Sequence, residues 1–89
     1  MATMATLFIP APLRPLCAGE VQVDLEAGSV RALIRALDTR YPGTAERLVV
    51  DDALRAGWAV SVDGAMVRGL TAKLLPTSEV HFVPAVGGG

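Results

Sequence analysis

Val30, Leu33, Ile34 and Leu37 fall at i, i+3, i+4 and i+7, the spacing that sets four apolar side chains on one face of a helix. Ser29 directly precedes the run and is suited to cap it, because its hydroxyl can accept a hydrogen bond from a backbone N–H of the first turn. Arg31, Arg35 and Asp38 lie off the stripe and can stay in water, and Tyr41-Pro42-Gly43 supplies a stop. The pattern predicts one amphipathic helix from about Ser29 to Tyr41. Its apolar stripe needs a sheet to cover it.

Strand signals flank the helix on both sides. Thr6-Leu7-Phe8-Ile9 is a short apolar run bounded by Pro10, and Glu20-Val21-Gln22-Val23-Asp24-Leu25 alternates with Val21, Val23 and Leu25 on one face. These two form an expected antiparallel hairpin with Leu13 to Ala18 as its loop. A weak helical turn is expected over Thr44 to Leu48, and Asp51 to Gly57 reads as a connecting loop. Trp58-Ala59-Val60-Ser61-Val62 alternates, Asp63-Gly64 marks a tight turn, and Met66-Val67-Arg68 returns. After Pro76-Thr77-Ser78 comes a last strand, Glu79 to Val83, ended by Pro84.

Two hairpin regions around one helix close into a sheet only if the first and last strands lie side by side, joined by a right-handed crossover. This order predicts an α+β chain with the β-grasp (ubiquitin-like) fold: a small mixed sheet, one main helix packed across it, and a flexible C-terminal glycine tail. With 89 residues, 52% of them apolar, the chain suffices for one core and is too short for two. Residues 1–84 are assigned to the domain and 85–89 to the tail. Val30, Leu33, Ile34 and Leu37 are expected to pack on Val21, Val23, Val60, Val62, Val80 and Phe82, with Trp58 also in the core.

Eight basic and nine acidic side chains leave a net charge of −1, so no global field draws in nucleic acid or an anionic membrane. One cysteine, Cys17, cannot form an internal disulfide, and with a single histidine, His81, no metal-ligand cluster or nucleophile–base pair can be assembled. Cys17 reads as a loop or partly buried thiol. Asp51-Asp52 and the Arg31/Arg35 pair read as solvated groups. No basic residue precedes the first apolar run, prolines interrupt it, and no apolar stretch approaches the roughly 20 residues of a membrane-spanning helix. A cytoplasmic protein that is not itself an enzyme is expected.

The chemistry is concentrated at the other end. Val83-Pro84-Ala85-Val86 leads into Gly87-Gly88-Gly89, a segment without charge and finally without side chains, thin enough for a narrow channel and open to close approach by an enzyme. Its terminal carboxylate is ionised in the cell, with a pKa of about 3.3–3.7, and reacts with no nucleophile until a leaving group is attached. A mixed anhydride with AMP supplies one. The chain contains no phosphate-binding loop, so ATP and magnesium are expected to be used by an activating partner, with no cofactor bound here.

Three segments together resemble the ThiS/MoaD sulfur carriers: Ile9-Pro10-Ala11-Pro12-Leu13-Arg14-Pro15 after the first strand, Val62-Asp63-Gly64 at the second hairpin, and Val80-His81-Phe82-Val83-Pro84-Ala85-Val86 leading to Gly88-Gly89. The Leu-Arg-Pro segment and the Pro-Ala-Val run look closest to the cysteine-synthase-type and molybdopterin-type carriers. The resemblance implies that an adenylating enzyme of the ubiquitin-activating type acts on Gly89, that a sulfur donor converts it to a thiocarboxylate, and that a sulfur-accepting synthase takes the sulfur. Where the family usually has a variable residue before Gly-Gly, this chain has Gly87. If Val80 and Phe82 face the core, His81 and Val83 face the uncovered side of the sheet, where the resemblance also places Met66 and Pro10, as a partner-binding patch. A covalent modifier attached through Gly89 and a non-covalent β-grasp interaction module are the alternatives.

Overall fold

The computed structural model describes residues 4–84. The elements are β1 (Met4–Phe8), a 3₁₀ helix (Ala11–Cys17), β2 (Gln22–Glu26), α1 (Val30–Arg40), α2 (Thr44–Leu48), β3 (Val49–Val50), β4 (Ala53–Leu54), β5 (Trp58–Val62), β6 (Ala65–Val67) and β7 (Glu79–Pro84). Among the described residues five strands form one sheet in the order β2-β1-β7-β5-β6, and β3 pairs with β4. β1 and β7 run parallel at the centre, and the other neighbours are antiparallel. The first and last strands therefore lie side by side, as the closure argument requires.

The predicted helix is α1, shortened by a residue at each end because Ser29 and Tyr41 are its caps. Ser29 Oγ accepts from the Ala32 N–H at 3.1 Å. Two more first-turn donors, the N–H groups of Val30 and Arg31, reach the carbonyls of Ala72 and Leu70 at 3.0 and 2.8 Å. The chain before β7 thus satisfies the exposed amides of the helix start. Asp38, expected to be solvated, instead holds the next helix in place. Its Oδ1 accepts from the N–H groups of Gly43 and Ala45 at 3.0 and 3.1 Å, capping α2. Gly43 bends the chain there at φ +100°, a conformation that favours glycine.

All four stripe residues of α1 are buried, packed with Val23, Leu25, Val60, Val80 and Phe82. Leu33→Ala and Phe82→Ala should each cost about 2–5 kcal/mol, the cost of lost transfer energy plus an unfilled cavity. Urea unfolding would measure it; mild effects from both would contradict this packing. Val62 is half-buried beside the core. Val21 is 56% exposed and corrects the expectation that it belongs there. It sits one residue before β2 starts, where its carbonyl accepts from the Ile9 N–H, so the alternation that buries Val23 does not extend to it.

Other departures have equally local causes. The expected loop from Leu13 to Ala18 is largely 3₁₀ helix, with Leu13 and Cys17 buried and Arg14 Nε donating to the Ile9 carbonyl at 3.1 Å. Part of the expected loop at Asp51 to Gly57 is the β3–β4 hairpin, turned by Asp51 and Asp52 at φ +51° and +61°. Two positive φ values in succession are the signature of the tight primed turn that suits a hairpin. Trp58 lies at the border of the core, half-buried, and its indole N–H donates to the Arg47 carbonyl at 3.0 Å, tying β5 to α2. Pro84 is the last residue of β7, paired with Trp58, instead of lying beyond the strand.

The Asp63-Gly64 turn does more than reverse the chain. Asp63 and Gly64 take φ +51° and +86°. The Asp63 carboxylate accepts from the Glu79 N–H at 2.8 Å and from the buried Ser78 hydroxyl at 2.9 Å, and the Asp63 N–H donates to the Glu79 carbonyl. It fixes where β7 begins. Asp63→Ala leaves two donors without their acceptor and a left-handed backbone without a side chain that tolerates it, so a loss of about 1–3 kcal/mol is expected in thermal or urea unfolding. Asp63→Asn, which keeps an acceptor and tolerates the φ, should recover part of that loss.

Candidate functional site

β7 has a two-residue repeat: Val80 and Phe82 point into the core, and Glu79, His81 and Val83 point to the sheet face that carries no helix. The strand registers set the neighbours of His81. Phe8 lies beside it on β1, Ser61 on β5, and Met66 lies beyond Ser61 on β6. The result is a row, Phe8-His81-Ser61-Met66, running across four strands. One step along β7, Val83 pairs with Ala59. None of these six side chains carries a fixed charge.

Within the row the rings of Phe8 and His81 stack, with centroids 4.4 Å apart and planes inclined by 1°. Both are half-buried, and the pair lies between the adjacent strands β1 and β7. Met66 is 63% exposed and Val83 37% exposed. A patch of apolar side chains left uncovered on one face marks a surface suited to a partner. At the opposite end of the strands the face turns acidic: Thr6 pairs with both Asp24 and Glu79, and its hydroxyl donates to Asp24 Oδ1 at 2.7 Å.

Three of the four expected patch residues are therefore brought together by β-sheet register: His81, Val83 and Met66. Pro10 is half-buried, two residues past Phe8, where the chain leaves the sheet and enters the 3₁₀ helix. Phe8 belongs to the same face and is not legible as such in the sequence, whereas Ser61 and Ala59 follow by alternation from Val60 and Val62 and only their places beside His81 and Val83 depend on register. Thr6 to Ile9 is nearly continuous in hydrophobicity, so it carries no alternation that would assign Phe8 to a face. The tail residues Gly87, Gly88 and Gly89 lie outside the described residues. In sequence, Ala85 and Val86 separate those glycines from Val83 and Pro84, the last two residues of the strand that carries His81.

The side chains with reactive potential are kept apart. Cys17 is fully buried in the 3₁₀ helix, and burial pushes its thiol pKa up, which disfavours the nucleophilic thiolate. His81 faces outward on the sheet. Among the described residues no three His, Cys, Asp or Glu side chains converge as a metal would require, and no helix is long and apolar enough to cross a membrane.

The model of the ThiS family matches residues 7–89 of the chain. A chain of the BexX/CysO complex from Amycolatopsis orientalis is 32% identical and superposes with a TM-score of 0.88, the match covering 96% of this chain and 99% of that one. CysO from Mycobacterium tuberculosis, described as an antigen, is 30% identical with a TM-score of 0.86, over 92% of this chain and 99% of that one. The small archaeal modifier protein 1 of Methanosarcina acetivorans shares the fold, with a TM-score of 0.81 at 21% identity over 100% of this chain and 99% of that one. No curated protein matches the chain significantly.

Proposed function

The chain belongs to the ThiS family and is a sulfur carrier or ubiquitin-like modifier of the β-grasp type, and on that basis we propose that it works as a sulfur carrier through the carboxylate of Gly89. The observation that carries this reading is a continuity. The family match runs through the triple glycine, and the triple glycine comes two residues after β7, the strand that contributes His81 and Val83 to the uncharged part of the open sheet face. A carrier needs those two parts together. The face holds the partner, and the side-chain-free end reaches into it.

The chemistry then proceeds in two displacements. In an adenylating partner, an oxygen of the Gly89 carboxylate attacks the α-phosphorus of MgATP, forming acyl-AMP and releasing pyrophosphate. Hydrosulfide supplied by the sulfur donor attacks the acyl carbon, AMP leaves with the electrons of the anhydride bond, and after loss of the S–H proton the chain ends in a thiocarboxylate. A sulfur-accepting synthase holds the metabolite that receives the sulfur. His81, Val83, Met66 and Pro10, with Phe8 beside them, serve for docking and not for proton transfer. Occupying the same face, the activating and accepting enzymes bind in turn. The BexX/CysO assembly of the similar Amycolatopsis structure supports the expectation that the chain acts with a protein partner.

The test is mass spectrometry of the intact chain after incubation with the adenylating enzyme of its own organism, MgATP and a sulfur donor. Exchange of one oxygen for sulfur at Gly89 is the expected product. The modifier reading predicts instead isopeptide linkage of Gly89 to lysines of many proteins in a cell extract. Formation of neither product would leave the β-grasp interaction module as the better account.

A further inference from the structure

On the helix side of the sheet, opposite the face just described, α1, α2 and β3 together with Asp52 and Leu70 line an open concavity of about 190 Å³. Its floor is apolar, made by Ile34, Ala45, Val49 and Leu70, and its rim is charged, made by Arg31, Arg35 and Asp52. The two arginines, one helical turn apart, are not simply a solvated pair as their spacing suggests. The Arg31 side chain is only 30% exposed and is ion-paired with Asp52, which the left-handed turn between β3 and β4 holds against it. Arg35 is exposed and has no ion pair or side-chain hydrogen bond among the described residues.

Size and charge together select an occupant. Ligand pockets for metabolites and cofactors run to about 300–1,000 Å³, well above this one, whereas a cavity of about 150 Å³ accommodates a benzene-sized group. One aliphatic or phenyl side chain fits the hollow. Arg35 at the rim then favours a carboxylate next to that side chain, because a guanidinium without a partner gains a charge-assisted hydrogen bond from it. We infer that the pocket between α1 and α2 is a second docking site, taking a protruding apolar side chain flanked by acidic residues on a partner protein. Lying across the sheet from the His81 row, it can be occupied while the sheet face is engaged. It depends on neither the chemistry of Gly89 nor the use of that face.

The experiment is an NMR titration of the isotope-labelled full chain with the blocked peptide Gly-Glu-Leu-Glu-Gly, and with two controls in which Gln replaces both Glu or Gly replaces Leu. Saturable shifts are expected at the amides of Arg31, Arg35, Ala45, Val49 and Leu70. Affinity should fall about tenfold with the Gln peptide, the scale of one lost hydrogen bond to a charged group, and saturation should vanish with the Gly peptide. Arg35→Glu should abolish the response and Arg35→Lys should retain most of it; both chains must show the unfolding midpoint of the unmodified protein, which an exposed position allows. Absence of saturable shifts up to the solubility limit would overturn the inference, as would shifts mapping to Phe8, His81 and Val83. Equal binding of the Gly peptide would also overturn it, because attraction to Arg35 would then operate without the pocket.

Discussion

Deleting Gly89 should abolish thiocarboxylate formation even though the shortened chain ends in Gly88 with a chemically identical carboxylate. The group is withdrawn by one residue, about 3.3–3.6 Å of reach. Attack on the α-phosphorus of ATP requires an aligned approach, and misplacement by about 1 Å can cost on the order of 100-fold in rate. The loss would therefore report position. Capping Gly89 as an amide is the complementary variant: full length is kept, the nucleophilic carboxylate is gone, and labelling should again vanish. Gly87→Ala should be milder than Gly88→Ala, since on the proposed mechanism the methyl nearer the reacting end would meet the narrower part of a channel in the partner. Mass spectrometry of the intact chain reads all four. Full activity of the chain lacking Gly89 would mean that the end of the tail is not held in register by the partner.

Val83→Asp should leave the domain folded and weaken binding to the adenylating enzyme by about 100-fold or more. Val83 is 37% exposed and pairs with Ala59 near the end of β7, where a polar replacement remains in contact with water in the free protein. In the complex the same carboxylate would be sealed against apolar side chains without a partner, and an unpaired charge in such a place costs several kcal/mol. Calorimetric titration with the purified enzyme measures the loss, and the unfolding midpoint shows that the fold is kept. The sulfur-accepting enzyme should lose the variant as well, and with the unmodified chain the two enzymes should compete. Unchanged affinity for both would remove the Phe8-His81-Ser61-Met66 face from the proposed mechanism.

The helix and the strand phases were legible where a pattern repeats often enough to exclude the other phase. Four apolar positions define the stripe of α1, and Val80 and Phe82 define the inward side of β7, which by alternation places His81 and Val83 outside. Short or unpatterned segments were not legible. The 3₁₀ helix at Ala11–Cys17 contains Pro12 and Pro15 and has little periodicity, and the β3–β4 hairpin is too short to show alternation. Leu13, Leu48, Leu70 and Leu74 are buried, but nothing in their immediate neighbours distinguishes them from exposed loop leucines such as Leu75, which is 67% exposed.

The chain's local order carries its periodicities, its caps, the positive-φ turn at Asp63-Gly64 and a glycine-rich end, because each depends on residues a few positions apart. From these follow the helix, the hairpins and, by exclusion of other connections, the central pairing of β1 with β7. Long-range register is a different kind of information. That Phe8 stacks on His81, that Ser61 lies beside His81 and brings Met66 into their row, and that Asp63 holds Ser78 and the start of β7 all depend on pairings between residues far apart in the sequence. A shift of one residue in any of those pairings would turn a whole strand face over, and only the simultaneous burial of α1 against the other side of the sheet selects one register.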